Sequence, residues 1–305
     1  MKLNVAVAQF SPAVLDLKGS VAKACKIIES AGKQKVRVLA FPETWIPVYP
    51  LWSDMGSYSQ WGNEAAMKLY RRLHDNSIAL DSPELRRIGA ACRKAKLHLV
   101  LGVNERSGKS IYNALLFFND KGELIGHHRK LVPTFGERLV WGYGDASGLR
   151  TYDTPFGRLG GLICWEHWMP IPRHLLHTEG EIVHVAAWPH GKEMHQIASR
   201  HYAFEGRCFV LAAAMYVEKE MFPRSYEFAS ELKDLPEVLI AGGSSIIGPD
   251  GSYIVEPVLG GEGLIVAEIE TERAVEESLT LDVGGHYSRP DLFDVSVRRP
   301  HRAVV

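Results

Sequence analysis

Cysteine is scarce in this 305-residue chain: four residues, at positions 25, 92, 164 and 208. None are paired as C-x-x-C, so their spacing points to no zinc site, and in a reducing compartment they are free thiols. Charge of one sign is also lacking. Lys and Arg number 35 against 36 Asp and Glu, for a net charge of -1, which leaves no basic surplus to neutralise phosphates and argues against a nucleic-acid partner. Long apolar runs are missing too. The N-terminal MKLNVAVAQFSP has one Lys and a short apolar stretch that stops at Gln9, too little for a secretory signal. No window reaches the length needed to cross a bilayer. A cytoplasmic protein without a membrane partner is therefore expected. No G-x-G-x-x-G opens a helix, so Gly260–Gly263 is read as a loop and not as a phosphate cradle.

What is present is an ordinary globular composition, 46% hydrophobic and 23% charged, enough to bury a large core without disulfides or metals. Apolar residues on both faces make Asn4–Gln9 and 36–41 buried strands. Helical spacing marks 17–34, 64–74 and 82–95, the last with Ser82, Pro83 and Glu84 as cap, first-turn proline and first-turn acid. Strands are expected at 97–103, 112–118 and 124–128, the last two joined by the turn Asn119-Asp120-Lys121-Gly122. Further strands follow at 157–163, 182–187, 208–215, 240–247, 253–255 and 264–268, with helices at 170–177 and 194–206. Alternating elements that give way to strands indicate an α/β protein with mixed sheets. With no linker or repeat, residues 1–305 are read as one domain.

Three segments place a reactive side chain at or just past the end of an apolar strand, where sites of layered α/β folds lie. FPETWIPVYPLW carries Glu43; an acid buried there has a raised pKa and can act as a base near neutrality. HHRKLVPTFGERLVWGYGDASG carries Lys130 and Glu137; a lysine buried beside acids is a point charge able to stabilise a developing anion. GRLGGLICWEHWMP carries Cys164 after a glycine-rich strand, the setting of a nucleophile elbow in which the Trp165 N–H faces the reacting atom. Cys25, Cys92 and Cys208 lie inside elements and suit a structural role. A Cys164–His167 dyad is conceivable, though a thiol protease takes its base from far away in sequence. His127 and His128 point to opposite sides of a strand, so a metal cluster with His184 or His190 is not expected.

In this order, Glu43, Lys130 and Cys164 resemble the carbon–nitrogen hydrolase, or nitrilase, superfamily, from AVAQFSP to GGHYSRPDLF. Within it, Cys164-Trp165-Glu166-His167 and RKLVPTFGERLVWGYGD are similar to the true nitrilase branch, with Glu137 matching its additional acid. IPVYP departs from the usual IPGYP, and the chain ends where many relatives carry a further tail. The resemblance implies a four-layer α-β-β-α sandwich and homo-oligomers, dimers or larger, built through an outer helical layer, with the tail from about 280 a candidate for subunit contacts. It implies no cofactor and no metal. It also implies hydrolysis of a small-molecule nitrile to acid and ammonia, with Glu43 as base, Lys130 as cation and Cys164 as nucleophile. Tyr49, Trp52, Trp165, Trp188 and His190 are candidate substrate-binding residues; an aromatic wall would favour aryl or arylaliphatic nitriles. An amidase or cyanide-converting enzyme shares the same reactive set, and a non-catalytic scaffold would have kept all four residues by coincidence.

Overall fold

A computed structural model describes residues 1–54 and 56–299. In the first half, β1 (Lys2–Gln9), α1 (Leu17–Lys33), β2 (Val36–Ala40), α2 (Glu64–Asp75), α3 (Pro83–Ala95), β3 (His98–Ser107), β4 (Ser110–Phe118) and β5 (Leu124–Arg129) follow in turn. Asp16 caps α1 through Gly19 N, and Ser82 caps α3 by accepting from Leu85 N at 3.2 Å, as the sequence signals require. The turn after β4 is an Asx type, with Asn119 Oδ1 accepting from Lys121 N at 3.0 Å and Glu123 N at 2.9 Å. The second half adds β6 (Tyr152–Thr154), β7 (Gly157–Ile163), α4 (Pro170–Thr178), β8 (Glu181–Ala187), α5 (Glu193–Gly206), β9 (Phe209–Ala213), β10 (Tyr216–Glu218), α6 (Ala229–Lys233), β11 (Val238–Ile247), β12 (Tyr253–Leu259), β13 (Gly263–Glu270) and α7 (Glu272–Glu277).

These strands form two sheets, in the orders β13-β1-β2-β3-β4-β5 and β10-β11-β9-β8-β7-β6, with β12 paired to β11. Val5, Val7, Val38, Val100 and Leu115 of the first sheet meet Leu159, Val183 and Val185 of the second in one buried cluster. On the far side of the first sheet, Ala6, Leu39 and Leu99 pack with Val21, Ala24 and Ile28 of α1 and with Ile88 and Cys92 of α3. Helices α4 and α5 cover the second sheet, Leu176 and Tyr202 closing over it. The result is the four-layer α-β-β-α sandwich.

Some elements differ from the sequence expectation. β3 runs on through Asn104, Glu105 and Arg106 before turning into β4. Polar residues interrupt the apolar pattern there, but Glu105 is buried against Arg129 at 2.8 Å and His127 at 2.7 Å, so the strand continues through an ion-paired patch. The short β6, β10 and α7 carry too few residues for a readable period. The expected single domain and its tail from about 280 extend into residues 300–305, which lie outside the described residues.

Candidate active site

Parallel pairing of β1 with β2 and β2 with β3 brings the ends of the first sheet's strands together, and β7, β8 and β9 do the same in the second. Glu43 N donates to the Trp188 carbonyl across the two sheets at 3.3 Å, so the loops after β2 and β8 meet at the site. A Cβ at Gly102 of β3 would collide with the Pro42 carbonyl; glycine there lets the Glu43 loop lie flat against the strand. Non-glycine residues adopt a left-handed backbone in all three reactive loops: Thr44 (φ 44), Phe135 (φ 44) and Cys164 (φ 51). Such strain persists only where the surroundings over-determine it, and it clusters at functional sites.

Glu43, Lys130, Glu137 and Cys164, far apart in sequence, converge. The Cys164 sulfur and one carboxylate oxygen from each of Glu43 and Glu137 lie within 4.8 Å of one another. Lys130 Nζ donates to Glu43 Oε1 at 2.8 Å and to Glu137 Oε2 at 2.7 Å. The trio of acids and thiol has the donor chemistry of a metal site, but the lysine ammonium already bonds both acids and fills the place of a cation. All four side chains are buried.

The two acids differ in what is left free. Both oxygens of Glu137 are engaged, Oε1 by the Tyr49 hydroxyl at 2.9 Å and Oε2 by Lys130 and by Thr134 N at 2.6 Å. Glu43 Oε1 is held by Lys130 and by the Asn113 amide at 2.6 Å, while its Oε2 is buried without a partner. A buried carboxylate oxygen with nothing to accept from is poised to take a proton.

Electrostatics agree with that division. Burial pushes Glu43 up to about 7, against the opposing pull of Lys130, so its two protonation states are close in energy near neutrality. Burial, reinforced by the charge of Glu43, holds the Cys164 thiol well above its usual range despite the lowering influence of Lys130 and of the neighbouring Trp165 N–H. The resting sulfur is therefore a thiol and needs a base. Burial also works against the Lys130 charge, but the two acids it bonds, Glu43 and Glu137, outweigh it and keep the ammonium above the ordinary lysine range.

The elbow is tied to the lysine segment by Glu166. Its Oε2 accepts from Ile163 N at 2.8 Å, its Oε1 from Leu131 N at 2.8 Å, and His128 Nε2 sits 3.0 Å away. One carboxylate thus holds the residue before Cys164 and the residue after Lys130. His127 turns the other way, to Glu105, as adjacent strand residues must.

Among the substrate-binding candidates, Tyr49 joins the site through Glu137, and Trp165 contributes its backbone while its ring stands half-exposed. The other three are engaged elsewhere. Trp52 is fully buried against Tyr226. Trp188 lies under α5, donating to Ser199 Oγ at 2.9 Å. His190 packs edge-on to His195, and burial lowers it to about 4. Large aromatics bury readily wherever a layer closes, and side-chain type does not say which layer. Two further residues reach the site without standing out in the sequence, Asn113 and Trp141. Asn113 is a buried amide within the apolar run of β4, and a polar residue in such a run is the available signal. Trp141 places its ring 5.7 Å from Lys130 Nζ, a cation–π contact.

Comparison with known proteins matches residues 4–276 to the carbon–nitrogen hydrolase family. A nitrilase of Pseudomonas syringae pv. syringae (strain B728a) is 40% identical, covering 95% of this chain and 88% of its own. A bifunctional nitrilase/nitrile hydratase of Nicotiana tabacum is 35% identical over 97% of this chain and 86% of its own. Among solved structures, Saccharomyces cerevisiae Nit3, a member of branch 10 of the nitrilase superfamily, superposes with a TM-score of 0.72 at 20% identity, covering 94% of this chain and 96% of that one.

Proposed function

The chain belongs to the carbon–nitrogen hydrolase family, and on that premise we propose that it is a nitrilase, converting an organic nitrile to a carboxylic acid and ammonia through a covalent bond to Cys164. The observation that carries the reading is the convergence of the Cys164 sulfur with Glu43 and Glu137 inside 4.8 Å around one lysine ammonium.

A nitrile carbon is electrophilic but has no leaving group, so covalent addition divides the reaction into easier steps. Glu43 takes the thiol proton on Oε2, the oxygen without a partner, and the Cys164 sulfur adds to the nitrile carbon. Negative charge gathers on the nitrogen, which faces the Lys130 ammonium and the Trp165 N–H, and a proton from Glu43 completes the thioimidate. Glu43 then deprotonates a water that adds to the same carbon. Ammonia leaves as the nitrogen is protonated, and a thioester remains. A second water releases the acid and returns the thiol. If sulfur leaves before ammonia, the product is the amide. Glu137, with both oxygens engaged, holds Lys130 in place and is not the base.

The run Cys164-Trp165-Glu166-His167 and the relatives favour a nitrile over an amide substrate. The test is a panel of nitriles, their amides and cyanide, with acid, amide and ammonia measured; turnover of amides or cyanide alone would overturn the reading.

Homo-oligomerisation through the outer helical layer belongs to the same proposal. Ile171 of α4 and Met194, Ile197 and Phe204 of α5 are large apolar side chains left exposed on that layer. The tail from about 280 reaches the same layer, Gly284 packing on His177 and Thr178 at the end of α4. Light scattering at graded salt tests it, a monomer at every concentration being the contrary result. Among the described residues no helix is long and apolar enough to cross a membrane. Four unpaired thiols suit the reducing cytoplasm.

A further inference from the structure

Beneath the nucleophile, on the side of the second sheet covered by α5, lies a chain of buried polar groups that the reaction above does not use. His167 Nδ1 is 2.7 Å from the Cys164 carbonyl oxygen. His167 Nε2 is 3.0 Å from His184 Nε2. His184 Nδ1 is 3.0 Å from Glu181 Oε2. All of these residues are buried.

Counting protons along this chain leads to a definite charge. A carbonyl only accepts, so His167 Nδ1 carries a proton. Glu181 is an ionised acceptor: burial works against its charge, but His184 and His177 outweigh it and hold the carboxyl down to about 2, and the Tyr202 hydroxyl donates to its other oxygen. His184 Nδ1 therefore carries a proton as well. The contact between the two Nε2 atoms needs a third. Two neutral imidazoles supply only two.

We propose that His167 and His184 hold three protons between them, forming a buried cation that orients the Cys164–Trp165 peptide and so aims the Trp165 N–H at the reacting nitrogen. The peptide is planar, with its carbonyl and N–H on opposite sides. Fixing the Cys164 oxygen from below fixes the Trp165 hydrogen above, where its influence already reaches the sulfur. A charged donor on the carbonyl also polarises that peptide and strengthens the N–H as a donor. The same bond helps hold Cys164 at its left-handed φ of 51.

Aromatic faces and carboxylates offset part of the cost of burying one extra charge here. The His184 ring stacks on Tyr202 with centroids 3.7 Å apart, and the His167 ring lies over Trp188 at 4.7 Å, so each ring rests on an aromatic face of the kind that attracts cations. Trp188 thus serves as a platform for His167. Burial is the largest influence on each ring and lowers both; against it, Glu181 and Glu166 favour the charge on His184, and the Cys164 carbonyl and Glu181 favour it on His167, while His177 and Arg173 oppose it. The repulsion between the two rings works against a second added proton, so the hydrogen-bond geometry calls for one extra and not two. Beyond them, His177 and Arg173 both reach Glu205, at 3.3 and 2.7 Å, which balances the outer end. His167 and His184 are positioning residues, since they act through the Cys164 peptide.

The kinetic consequence rests on the nitrilase reading; the proton count does not. Neutron diffraction of the deuterated full chain near neutrality reads the count directly. Deuterons are expected on His167 Nδ1, on His184 Nδ1 and between the two Nε2 atoms; a bare Nδ1 on either ring overturns the proposal. In the kinetic arm, Glu181→Gln keeps an acceptor but removes the counter-charge. It should lower kcat for a nitrile about tenfold or more with KM little changed, and bring the alkaline fall of kcat down by about 1–3 pH units. His184→Gln, whose amide can donate to His167 Nε2 without a charge, should retain more activity than His184→Leu. A Glu181→Gln profile that overlays the parent's overturns the proposal, and if that variant does not fold, the diffraction result on the unaltered chain decides.

Discussion

Asn113 and Lys130 bind the same oxygen of Glu43: the amide at 2.6 Å and the ammonium at 2.8 Å both meet Oε1, and Oε2 is left bare. One atom of the carboxylate is an anchor and the other a base. The pKa of that base is the balance of burial, which raises it, against Lys130 and Asn113, which lower it.

Asn113→Ala removes one of the lowering contacts. The acid limb of kcat/KM, set in the free enzyme by Glu43 at about 7, should move upward by about one pH unit, the equivalent of one hydrogen bond to a charged group. Activity at neutrality then falls roughly fivefold and recovers as the pH rises. A pH–rate profile checks this; a limb that stays in place removes Asn113 from the base's environment.

Lys130→Met deletes the charge between two buried acids. Turnover should fall by about 10²–10³, the loss seen when one donor to a developing anion is removed. The fold should weaken by about 3–5 kcal/mol, because breaking a buried pair leaves its partners uncompensated. Steady-state kinetics and urea titration measure the two effects. The variant should gain stability as the pH falls, since protonating the stranded acids relieves the cost.

Glu166→Ala strands two amides, the buried one of Ile163 and the part-buried one of Leu131. A cost of about 2–6 kcal/mol follows from about 1–3 kcal/mol for each unsatisfied group, read as a lowered denaturation midpoint. Activity should fall further than stability alone explains, because the same carboxylate sets the distance between the Cys164 and Lys130 segments. A variant as active and as stable as the parent would contradict the clamp.

Acid should unfold the chain through specific carboxylates. Burial raises Glu105, Glu181 and Glu205, but Arg129 and the histidines around them win and bring each to about 2, below the ordinary value of 4.5. A folded pKa below the unfolded one stabilises above the unfolded value, and that stability is lost as pH falls from about 4.5 towards 2. Urea midpoints between neutrality and pH 3 should decline most steeply below about 5, with net proton uptake on unfolding in that window. A flat profile would mean these pairs contribute nothing.

Periodicity and turn chemistry made most of the fold legible: α1 and α3 with their caps, the buried strands β1 and β2, and the Asx turn after β4. Where polar residues break the pattern, as at Glu105 in β3, reading fails because the compensating Arg129 and His127 come from another strand. Cys164, Lys130, Glu43 and Glu137 were legible because each ends or follows an apolar strand in a recognisable order. Trp52, Trp188 and His190 were not. Trp52 and Trp188 are as apolar as any pocket wall, and which layer buries them depends on packing that single-residue chemistry does not encode. Asn113 and the His167–His184 chain were illegible for the opposite reason: their roles exist only in pairs formed across strands.

The central claim is that one sulfur forms the bond to the nitrile carbon. Acid quenching during turnover, followed by mass analysis of the peptides, reads that bond directly. The account predicts an acyl- or imidate-sized adduct on the peptide containing Cys164, and in Cys164→Ala neither adduct nor turnover with an unchanged circular dichroism spectrum. Turnover by a folded Cys164→Ala protein, or an adduct at Cys25, Cys92 or Cys208 instead, would contradict it.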